Sequence, residues 1–348
     1  MTPGREARRT PPGGTDGAVH VPKYLRLKQQ LLAELRAGRY PVGERIPTRE
    51  ELVARFGVTR TTVNLALKEL VACGVLATSR RGGTVFTGAE PPRRIVVLSG
   101  FDPAAQRRSG DDLWAILESL VYRSSEFKLT FHKLGSALSP TMLAACDRLV
   151  AIMPNAAEFA ALKPLGKRVL FVNRSGEGLA FISTPHRETM RELVRRNLAA
   201  AGNRPQMVFL SSNRAPGFVE QERQAGFIDE CAEADLFYRL CQTEPDFNRI
   251  PEALDALPLD PARHLVLAAP SMSFTGAVVE WARRRKRRFG VDLFYSDFDD
   301  AAPERDFGVP FLSAVQDYPE MGRRLYDALK NHPESEPVRD FVPCRLIG

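Results

Sequence analysis

The sequence predicts a multi-domain protein in which a small N-terminal α+β module precedes a larger, two-lobed α/β domain. Three observations lead to this fold class. The 348 residues exceed what one ordinary hydrophobic core organises. The pattern of apolar residues changes near residue 94, from short amphipathic helices to apolar strands that alternate with helices. The charge is uneven as well, because the surplus of positive charge lies in the first quarter of the chain.

This charge distribution bears on the partner of the N-terminal module. Residues 1–94 contain 17 Lys and Arg against 8 Asp and Glu, which gives a net charge of +9. Since the whole chain has a net charge of +7, the remaining residues have a net charge of −2. The first 19 residues read as a flexible tail, and the chain through His20 contributes only +1. The asymmetry therefore favours a polyanionic partner for the folded N-terminal module.

Several classes of protein are disfavoured by patterns that the sequence lacks. No apolar run approaches the ~20 residues that span a bilayer, and the N-terminus has no apolar signal-peptide core, so we expect a cytoplasmic protein without a membrane partner. The five cysteines and five histidines show no CxxC or HExxH spacing, so neither a metal site nor a cofactor is predicted. A P-loop and a GxSxG sequence are also missing, and nothing favours catalysis.

Two helices are predicted at the start of the N-terminal domain, which we place at residues 20–88. Leucines at helical spacing predict the first helix over Tyr24–Ala37, and Gly38 ends it. The sequence TREE at residues 48–51 then has the spacing of a capping box. In such a box Thr48 and Glu51 satisfy each other's backbone donors, so a short second helix begins here.

A third helix follows, and its two faces differ in character. Gly57 makes the turn and Thr59 caps the helix. One face is apolar and carries Val63, Ala66, Leu67 and Leu70. The opposite face is polar and cationic and carries Arg60, Thr61, Asn64 and Lys68. Two helices joined by a glycine turn, the second opening with such residues, present a helix N-terminus to the major groove of DNA. At Asn64, the amide could read adenine.

A β-hairpin completes this domain. Its strands are predicted at Val75–Ser79 and Thr84–Thr87, and the sequence RRGG at residues 80–83 forms the tip. Arginines on a projecting tip suit phosphates or a narrow minor groove. Each residue alone is compatible with an ordinary solvated surface, but the order helix, helix, recognition helix and basic wing favours DNA binding.

These residues resemble the winged helix-turn-helix of the GntR family of bacterial regulators. The resemblance rests on GRYPVGERIPTREELVARFGVTRTTVNLALKELVACGVL and on the wing RRGGTVF. It implies that a set of polar and glycine residues faces double-stranded operator DNA, namely Arg49, Thr59, Arg60, Thr61, Thr62, Asn64, Arg80, Arg81 and Gly82. With Lys68 of the exposed helix face, these are the candidate DNA-binding residues. Many members have Arg where Glu50 stands, and Arg or Lys is common where Asn64 stands.

After a linker at residues 89–94, the remaining sequence predicts a mainly parallel α/β structure. Short apolar strands, such as RIVVLSG, RLVAIMP, QMVFLSS and HLVLAAP, alternate with helices near residues 111–124, 187–201, 218–234 and 274–288. There are too many strands for one small sheet, so two lobes are expected for the domain at residues 95–348.

Phrases in this domain resemble the effector domain of LacI/GalR regulators, which has the fold of type I periplasmic binding proteins. The resemblance rests on RLVAIMPNAAEFAALKPLGKRVLFVNRS, ERQAGFIDECAEADL, LVLAAPSMSFTGAVVEWARRR, YSDFDD and FLSAVQDYPEMGRRLYDAL. It implies an effector cleft between the lobes, lined by Asn173, Arg223, Ser271, Asp299 and Gln316. Pro270-Ser271 replaces the Asn-Asp of the family, and the linker cannot form a LacI-like hinge helix. Surface exposure of Arg223 and a solvated loop at Asp299 are the ordinary alternatives.

The sequence thus predicts a dimeric regulator, with repression as the commoner outcome, that binds operator DNA and responds to a small molecule. A sugar, another metabolite and a degenerate pocket all stay open for the effector site. Two other functions also stay open. One is a DNA-binding dimeric protein whose C-terminal domain has lost ligand sensing, and the other, less favoured, is an enzyme with a DNA-binding head.

Overall fold

The computed structural model describes residues 22–79, 83–99, 111–122, 126–202, 204–212, 217–299, 307–332 and 337–348. The chain divides into two compact units. One comprises the residues up to Arg93 together with Ala137–Cys146, and the other comprises Arg94–Ser136 and Asp147–Gly348. The division falls inside the predicted linker, although the exact boundaries at residues 88 and 95 stay a prediction. Within the described ranges, no helix combines the length and the apolar character that crossing a bilayer requires.

The first unit contains the predicted three helices and hairpin. Helices α1, α2 and α3 span Lys23–Arg36, Arg49–Phe56 and Arg60–Ala72, and the antiparallel strands β1 and β2 span Leu76–Ser79 and Gly83–Phe86. One apolar cluster holds these elements together, with leucines of α1, α2 and α3 fully or almost fully buried. The apolar face predicted for α3 is confirmed, because Val63, Ala66, Leu67 and Leu70 are all buried.

Helix α2 begins at a capping box and ends at a glycine, as the sequence predicts. The Thr48 hydroxyl accepts from the backbone N–H of Glu51, and the Glu51 carboxylate accepts from that of Thr48 at 2.7 Å. These bonds satisfy two donors that a helix start leaves open, and they lower the pKa of the Glu51 carboxyl. Gly57 ends α2 at φ 63°, a left-handed conformation that glycine adopts without steric cost.

The second unit consists of two lobes, each with a six-stranded sheet. The first sheet has the order β13-β7-β6-β5-β3-β4, and the second has the order β14-β12-β11-β10-β8-β9. Strands β3 to β7 span Arg93–Ser99, Phe127–Lys133, Arg148–Ile152, Val169–Val172 and Ala180–Ser183. Strands β8 to β12 span Gln206–Ser211, Tyr238–Gln242, Leu265–Ala268, Leu293–Phe298 and Leu312–Val315. Strands β13 and β14 span Arg339–Phe341 and Arg345–Ile347.

Helices cover the sheets, so most strands are buried on both faces. Helices α4 and α6 span Asp111–Tyr122 and Ala156–Leu162, whereas α5, at Pro140–Ala145, belongs to the first unit. Helices α7 to α9 span His186–Ala201, Phe218–Glu233 and Arg249–Asp255, and α10 and α11 span Thr275–Arg284 and Tyr318–Asn331. The described pairs within both sheets are parallel except β12–β14, which confirms the mainly parallel prediction.

The chain passes between the lobes more than once. It leaves the first sheet after β7 and returns with α11, whose buried residues pack in the core of the first lobe with those of α4. Strand β13 then joins the first sheet and β14 the second. Each lobe is therefore built from segments that are distant in sequence, and the crossings bring the carboxyl ends of β7 and β12 to the junction between the lobes.

Some elements differ from the sequence prediction. Strands β9, β13 and β14 were not predicted, because they are edge strands with exposed residues rather than continuous apolar runs. Helix α10 ends at Arg284, four residues before the predicted end. The basic run after it has no apolar face to bury, and Lys286 adopts a positive φ of 54° that a helix cannot contain.

Helices α7 and α8 approach each other so closely that their interface has no room for a side chain at Gly226. A Cβ atom there would lie 2.2 Å from the carbonyl oxygen of Arg187 and 3.1 Å from Cβ of Met190. Phe227 beside it is buried in the core of the second lobe. The sequence motif Arg-x-x-Gly-Phe therefore has a structural reason in α8. Its glycine, Gly226, lies where α7 and α8 cross, and its Phe227 anchors α8 in the core.

We expect Gly226→Ala to destabilise the second unit by about 1–3 kcal/mol, because the added methyl group overpacks the helix crossing. The measurement is urea unfolding followed by tryptophan fluorescence, since the two tryptophans, Trp114 and Trp281, both lie in this unit. Gly276→Ala is the matched control, because a Cβ atom there meets its nearest neighbour, Phe307, at an ordinary 3.7 Å. Equal unfolding midpoints for the two variants would contradict the overpacking.

Candidate nucleic-acid interface and candidate effector site

The solvent-facing side of α3 carries the predicted polar side chains. Arg60, Thr61, Asn64 and Lys68 are exposed. Thr59 and Thr62 are tied into the helix start, because the Thr59 hydroxyl accepts from the Thr62 backbone N–H and lies 2.9 Å from the Thr62 hydroxyl. Two of the three threonines are thus explained by capping, and Thr61 is left for an external contact. Arg80, Arg81 and Gly82 lie outside the described residues.

Two contacts join the start of α2 to the exposed side of α3. The Arg49 Nε donates to the Asn64 Oδ1 at 2.8 Å. The Arg60 Nη2 lies 3.2 Å from the Glu50 Oε1, and both of these side chains are about two-thirds exposed. The side chains that could face DNA therefore contact each other across the two helices.

In the second unit, polar side chains gather where several strands end. Asn173 follows β6, Asp299 follows β11 and Gln316 follows β12. Asn173 and Asp299 have left-handed backbones, with φ 59° and 72°, which Asn and Asp tolerate better than most residues. The carboxyl ends of parallel strands are where open α/β sheets bind ligands. The structure thus brings these predicted residues to one polar region.

Arg223 lies at the centre of this region. It projects from α8, is only 3% exposed, and its Nη1 donates to the carbonyl oxygen of Pro270. Its guanidinium carbon lies 3.6 Å from the centroid of the Phe298 ring, and Nη2 lies 3.8 Å from the Asp299 carboxylate. Burial lowers the pKa of Arg223, and Asp299 opposes this shift. The surface position considered for Arg223 is therefore wrong.

Hydrogen bonds, together with the Arg223–Asp299 ion pair, connect Arg223 to residues of both lobes. Its Nη2 donates to His186 Nδ1 at 3.3 Å, and the other ring nitrogen of His186 lies 3.0 Å from the Asn173 Oδ1. On the other side, the Gln316 amide donates to the Asp299 carboxylate at 3.0 and 3.1 Å and to the Tyr318 hydroxyl at 2.6 Å.

The side-chain amide of Gln316 also connects the two sheets directly. The Thr184 hydroxyl, which follows β7 of the first sheet, donates to the Gln316 Oε1 at 2.9 Å. Gln316 follows β12 of the second sheet and is 6% exposed. This bond therefore lies where the chain crosses between the lobes.

The hydrogen-bond pattern defines the protonation of His186. Because Arg223 can only donate, Nδ1 must accept, and Nε2 then carries the proton that it donates to Asn173. Burial first, and then the charges of Arg223 and Arg174, hold the pKa of His186 well below its ordinary value of 6.5. The imidazole is therefore neutral in the folded protein.

Ser271 is the one predicted effector residue that does not join this network, whereas Asp299 does. Ser271 is half-buried and bonds Ser273 at 2.6 Å, so its side chain does not join the network. The solvated loop considered near Asp299 is wrong, because its side chain is only 26% exposed and Asp297 is fully buried and bonded to the Thr275 hydroxyl.

Four members of this network were not predicted from the sequence, namely Thr184, His186, Phe298 and Tyr318. Thr184 and His186 directly follow the apolar strand GLAFIS, so the rule that polar residues at strand ends face the site could have found them. Phe298 offers no such signal, because in the sequence it is one more apolar residue of a buried strand. Its role depends on the Arg223 guanidinium that stacks on its ring, and this contact is made in the tertiary structure.

Comparison with protein families characterises the first unit. Residues 23–86 match the model of the bacterial regulatory proteins of the gntR family. The chain is 37% identical over 83 residues to the histidine utilization repressor of Pseudomonas aeruginosa, and 36% identical over 75 residues to the arabinose metabolism transcriptional repressor of Geobacillus stearothermophilus. These matches cover 24% and 22% of this chain, and only 32% and 21% of the two relatives. The N-terminal module is thus a GntR-type helix-turn-helix domain.

Comparison with solved structures characterises the fold of the larger unit. A LacI-family regulatory protein of Chloroflexus aggregans superposes with a TM-score of 0.56 at 18% identity, covering 72% of this chain and 96% of that one. The transcriptional regulator CelR in its cellobiose complex superposes with a TM-score of 0.54 at 17% identity, covering 87% and 99%. The larger unit therefore has the two-lobed, periplasmic-binding-protein-like fold of LacI-type regulators.

We expect the second unit to lose stability as the pH falls below 6.5, in part through His186. Since the folded state keeps this imidazole neutral, the unfolded chain binds more protons in this range, and the free energy of unfolding decreases with falling pH. One such group costs about 1.4 kcal/mol at one pH unit below 6.5 and nothing well above it. The loss ends at the lowered pKa of the folded state.

The test compares His186→Gln with the wild type in urea unfolding between pH 5 and 8, followed by tryptophan fluorescence. The variant should show a flatter pH dependence of the unfolding midpoint. His332→Gln is the control, because it removes an exposed imidazole that is not part of the network. A pH dependence that His186→Gln leaves unchanged would show that His186 is not buried in the neutral form.

Proposed function

We propose that this protein is a transcriptional repressor that binds operator DNA as a homodimer and is controlled by a small molecule. Residues 20–88 bind the DNA, and the domain at residues 95–348 binds the effector between its two lobes. The observation that carries the proposal is the combination, in one chain, of a GntR-type helix-turn-helix and a LacI-type effector fold. Modules of both kinds occur in the transcriptional regulators that this chain resembles.

DNA binding is supported by the surface of α3. Apart from Leu65, which is 43% exposed, the exposed side chains of its first two turns are cationic or short hydrogen-bonding groups, and no carboxylate lies on this part of the helix. Arg49, Arg60 and Lys68 supply positive charge, and the helix N-terminus adds its dipole. Such a surface approaches phosphates and base edges in the major groove. The two relatives named above are repressors, which supports repression for this chain.

Effector binding is supported by the polar region around Arg223. Asn173, Asp299 and Gln316 end strands of both sheets, and Asp299 keeps its carboxylate partly exposed. An arginine and a carboxylate on one side of a cleft favour a hydroxylated ligand, because both form charge-assisted hydrogen bonds. The solved CelR structure holds cellobiose, which supports a saccharide as the first class to test.

A second function is favoured by one observation at the same site. The Arg223 Nη1 is bonded to the Pro270 carbonyl, and the Asp299 carboxylate is bonded to Gln316, so these polar groups already have partners inside the protein. Among the described residues, only the Nε of Arg223 in this group is buried without a hydrogen-bond partner. A protein of this kind could bind DNA constitutively and use the larger domain only for dimerisation. A thermal-shift screen of saccharides and other hydroxylated metabolites separates the two functions, because a bound effector raises the unfolding temperature.

We expect Arg60→Ala to weaken DNA binding and to reduce its dependence on salt. Each phosphate contact that is lost reduces the slope of log K against log salt by about 0.9. The measurement is fluorescence anisotropy with an operator selected from randomised DNA, at several salt concentrations. Arg39→Ala is the control, since it removes the same charge from the same module at an exposed position distant from α3 in sequence. Equal slopes for the wild type and Arg60→Ala would contradict a phosphate contact.

We expect Asp299→Asn to weaken effector binding about tenfold while operator binding without effector stays unchanged. The amide preserves the size of the side chain but replaces charge-assisted hydrogen bonds by neutral ones. Asp235→Asn is a matched control, because Asp235 also has a positive φ, of 51°, and is exposed in a turn. The measurement is the effector concentration that half-releases the operator. The same concentration for both variants would place the effector site elsewhere.

A further inference from the structure

We propose that Asn64 reads no base by itself but positions Arg49, and that the guanidinium of Arg49 reads a guanine in each half-site. This inference rests on the proposed DNA binding and adds which side chain specifies a base and which base it selects. It departs from the expectation that the Asn64 amide reads adenine. The observation that carries it is the 2.8 Å hydrogen bond from the Arg49 Nε to the Asn64 Oδ1.

Both side chains start from firmly anchored backbone. Arg49 is the first residue of α2, directly after the capping box of Thr48 and Glu51. Asn64 lies on the exposed side of α3, next to Val63, which is fully buried. Since the two helices share one apolar core, the distance between the two backbone positions is fixed. The hydrogen bond therefore holds the Arg49 side chain over the surface of α3.

The bond uses one edge of the guanidinium and leaves the other available. Arginine has five N–H donors, and Asn64 accepts from the one on Nε. Among the residues that the structure describes, none accepts a hydrogen bond from Nη1 or Nη2 of Arg49, and none forms an ion pair with it. The carboxylate beside it in the chain, Glu50, is instead 3.2 Å from Arg60. The Nη1 and Nη2 groups thus keep their donors for a partner outside the protein.

The donor pattern of the pair selects the base. Adenine presents an acceptor, N7, and a donor, the N6 amino group, so reading it requires the Asn64 Oδ1 as an acceptor. That oxygen already accepts from a cation, which also repels an amino group. Guanine presents two acceptors, O6 and N7, and an arginine donates to both in the commonest specific contact in the major groove. The Nη1 and Nη2 donors of Arg49, held in place by Asn64, therefore fit guanine.

The test begins with the base preferences of the wild-type protein, determined by selection from randomised duplex DNA. Arg49→Ala should remove the preference at one position per half-site, and that position should be a guanine. Changing this guanine to adenine should weaken wild-type binding by about 5- to 100-fold. For Arg49→Ala, the two sequences should bind with similar affinity.

Two substitutions of Asn64 then separate positioning from direct reading. Asn64→Ala removes the acceptor for Arg49 and should lose most of the guanine preference at the same position. Asn64→Asp keeps an oxygen for the Arg49 Nε but removes the amide donor, so it should preserve the preference even if its negative charge weakens binding to all sequences. The readout is the ratio of the two dissociation constants, which a uniform loss of affinity does not change.

Each outcome supports or overturns the inference. Retained guanine preference in Asn64→Ala, or loss of it in Asn64→Asp, would show that Asn64 does not act through Arg49. So would changes at different base positions for the Arg49 and Asn64 variants, or an adenine at the shared position. A wild-type protein that selects no sequence at all would instead refute the proposed function. Circular dichroism confirms the helical content of each variant, and both residues are on the surface, so folding should be preserved.

Discussion

The buried guanidinium of Arg223 is the constraint around which the larger unit is organised. A cation that loses its hydration must regain partners inside the protein, because an isolated charge costs several kcal/mol in a medium of low dielectric. Here the partners come from different segments of the chain, namely the Pro270 carbonyl, the His186 ring, the Phe298 ring and the Asp299 carboxylate. The ends of β10, β11 and the start of α7 are therefore arranged around one side chain.

The partners of Arg223 constrain their own neighbours in turn. Burial and the charge of Arg223 lower the pKa of His186 and keep it neutral, and its ring then bonds both Arg223 and the amide of Asn173. Asp299 receives the Gln316 amide, whose oxygen accepts from Thr184 of the first lobe. A ligand that binds here would exchange some of these internal bonds for its own, and only the difference between the two sets would remain as affinity. The same network is thus relevant to stability and, under the proposed function, to effector binding.

The exposed surface of α2 and α3 that we propose to face DNA is likewise ordered by contacts between side chains. Arg49 and Asn64 belong to different helices, and the hydrogen bond between them turns two flexible side chains into one ordered group. Ordering side chains before binding reduces the conformational entropy that recognition must overcome. The Glu50–Arg60 contact has a different effect, because it offsets part of the positive charge close to α3 while leaving Arg49 without an acidic partner. Charge and order at this surface are therefore set by pairs of residues, and no single position determines them.

Local sequence determined the elements of the N-terminal module and the layout of the larger unit. Capping at Thr48 and Thr59, the turn at Gly57 and the apolar face of α3 depend on neighbours within a few residues, so periodicity and capping rules found them. Asn173, Asp299 and Gln316 were predicted from the resemblance to LacI/GalR regulators, and for Asn173 and Asp299 their place at the ends of apolar strands supported it. Only the tertiary structure decided that Arg223 is buried, that His186 joins it to Asn173, and that Asn64 holds Arg49. These contacts connect residues 13 to 76 positions apart, and the order in which strands and helices pack, which no local pattern encodes, brings them together.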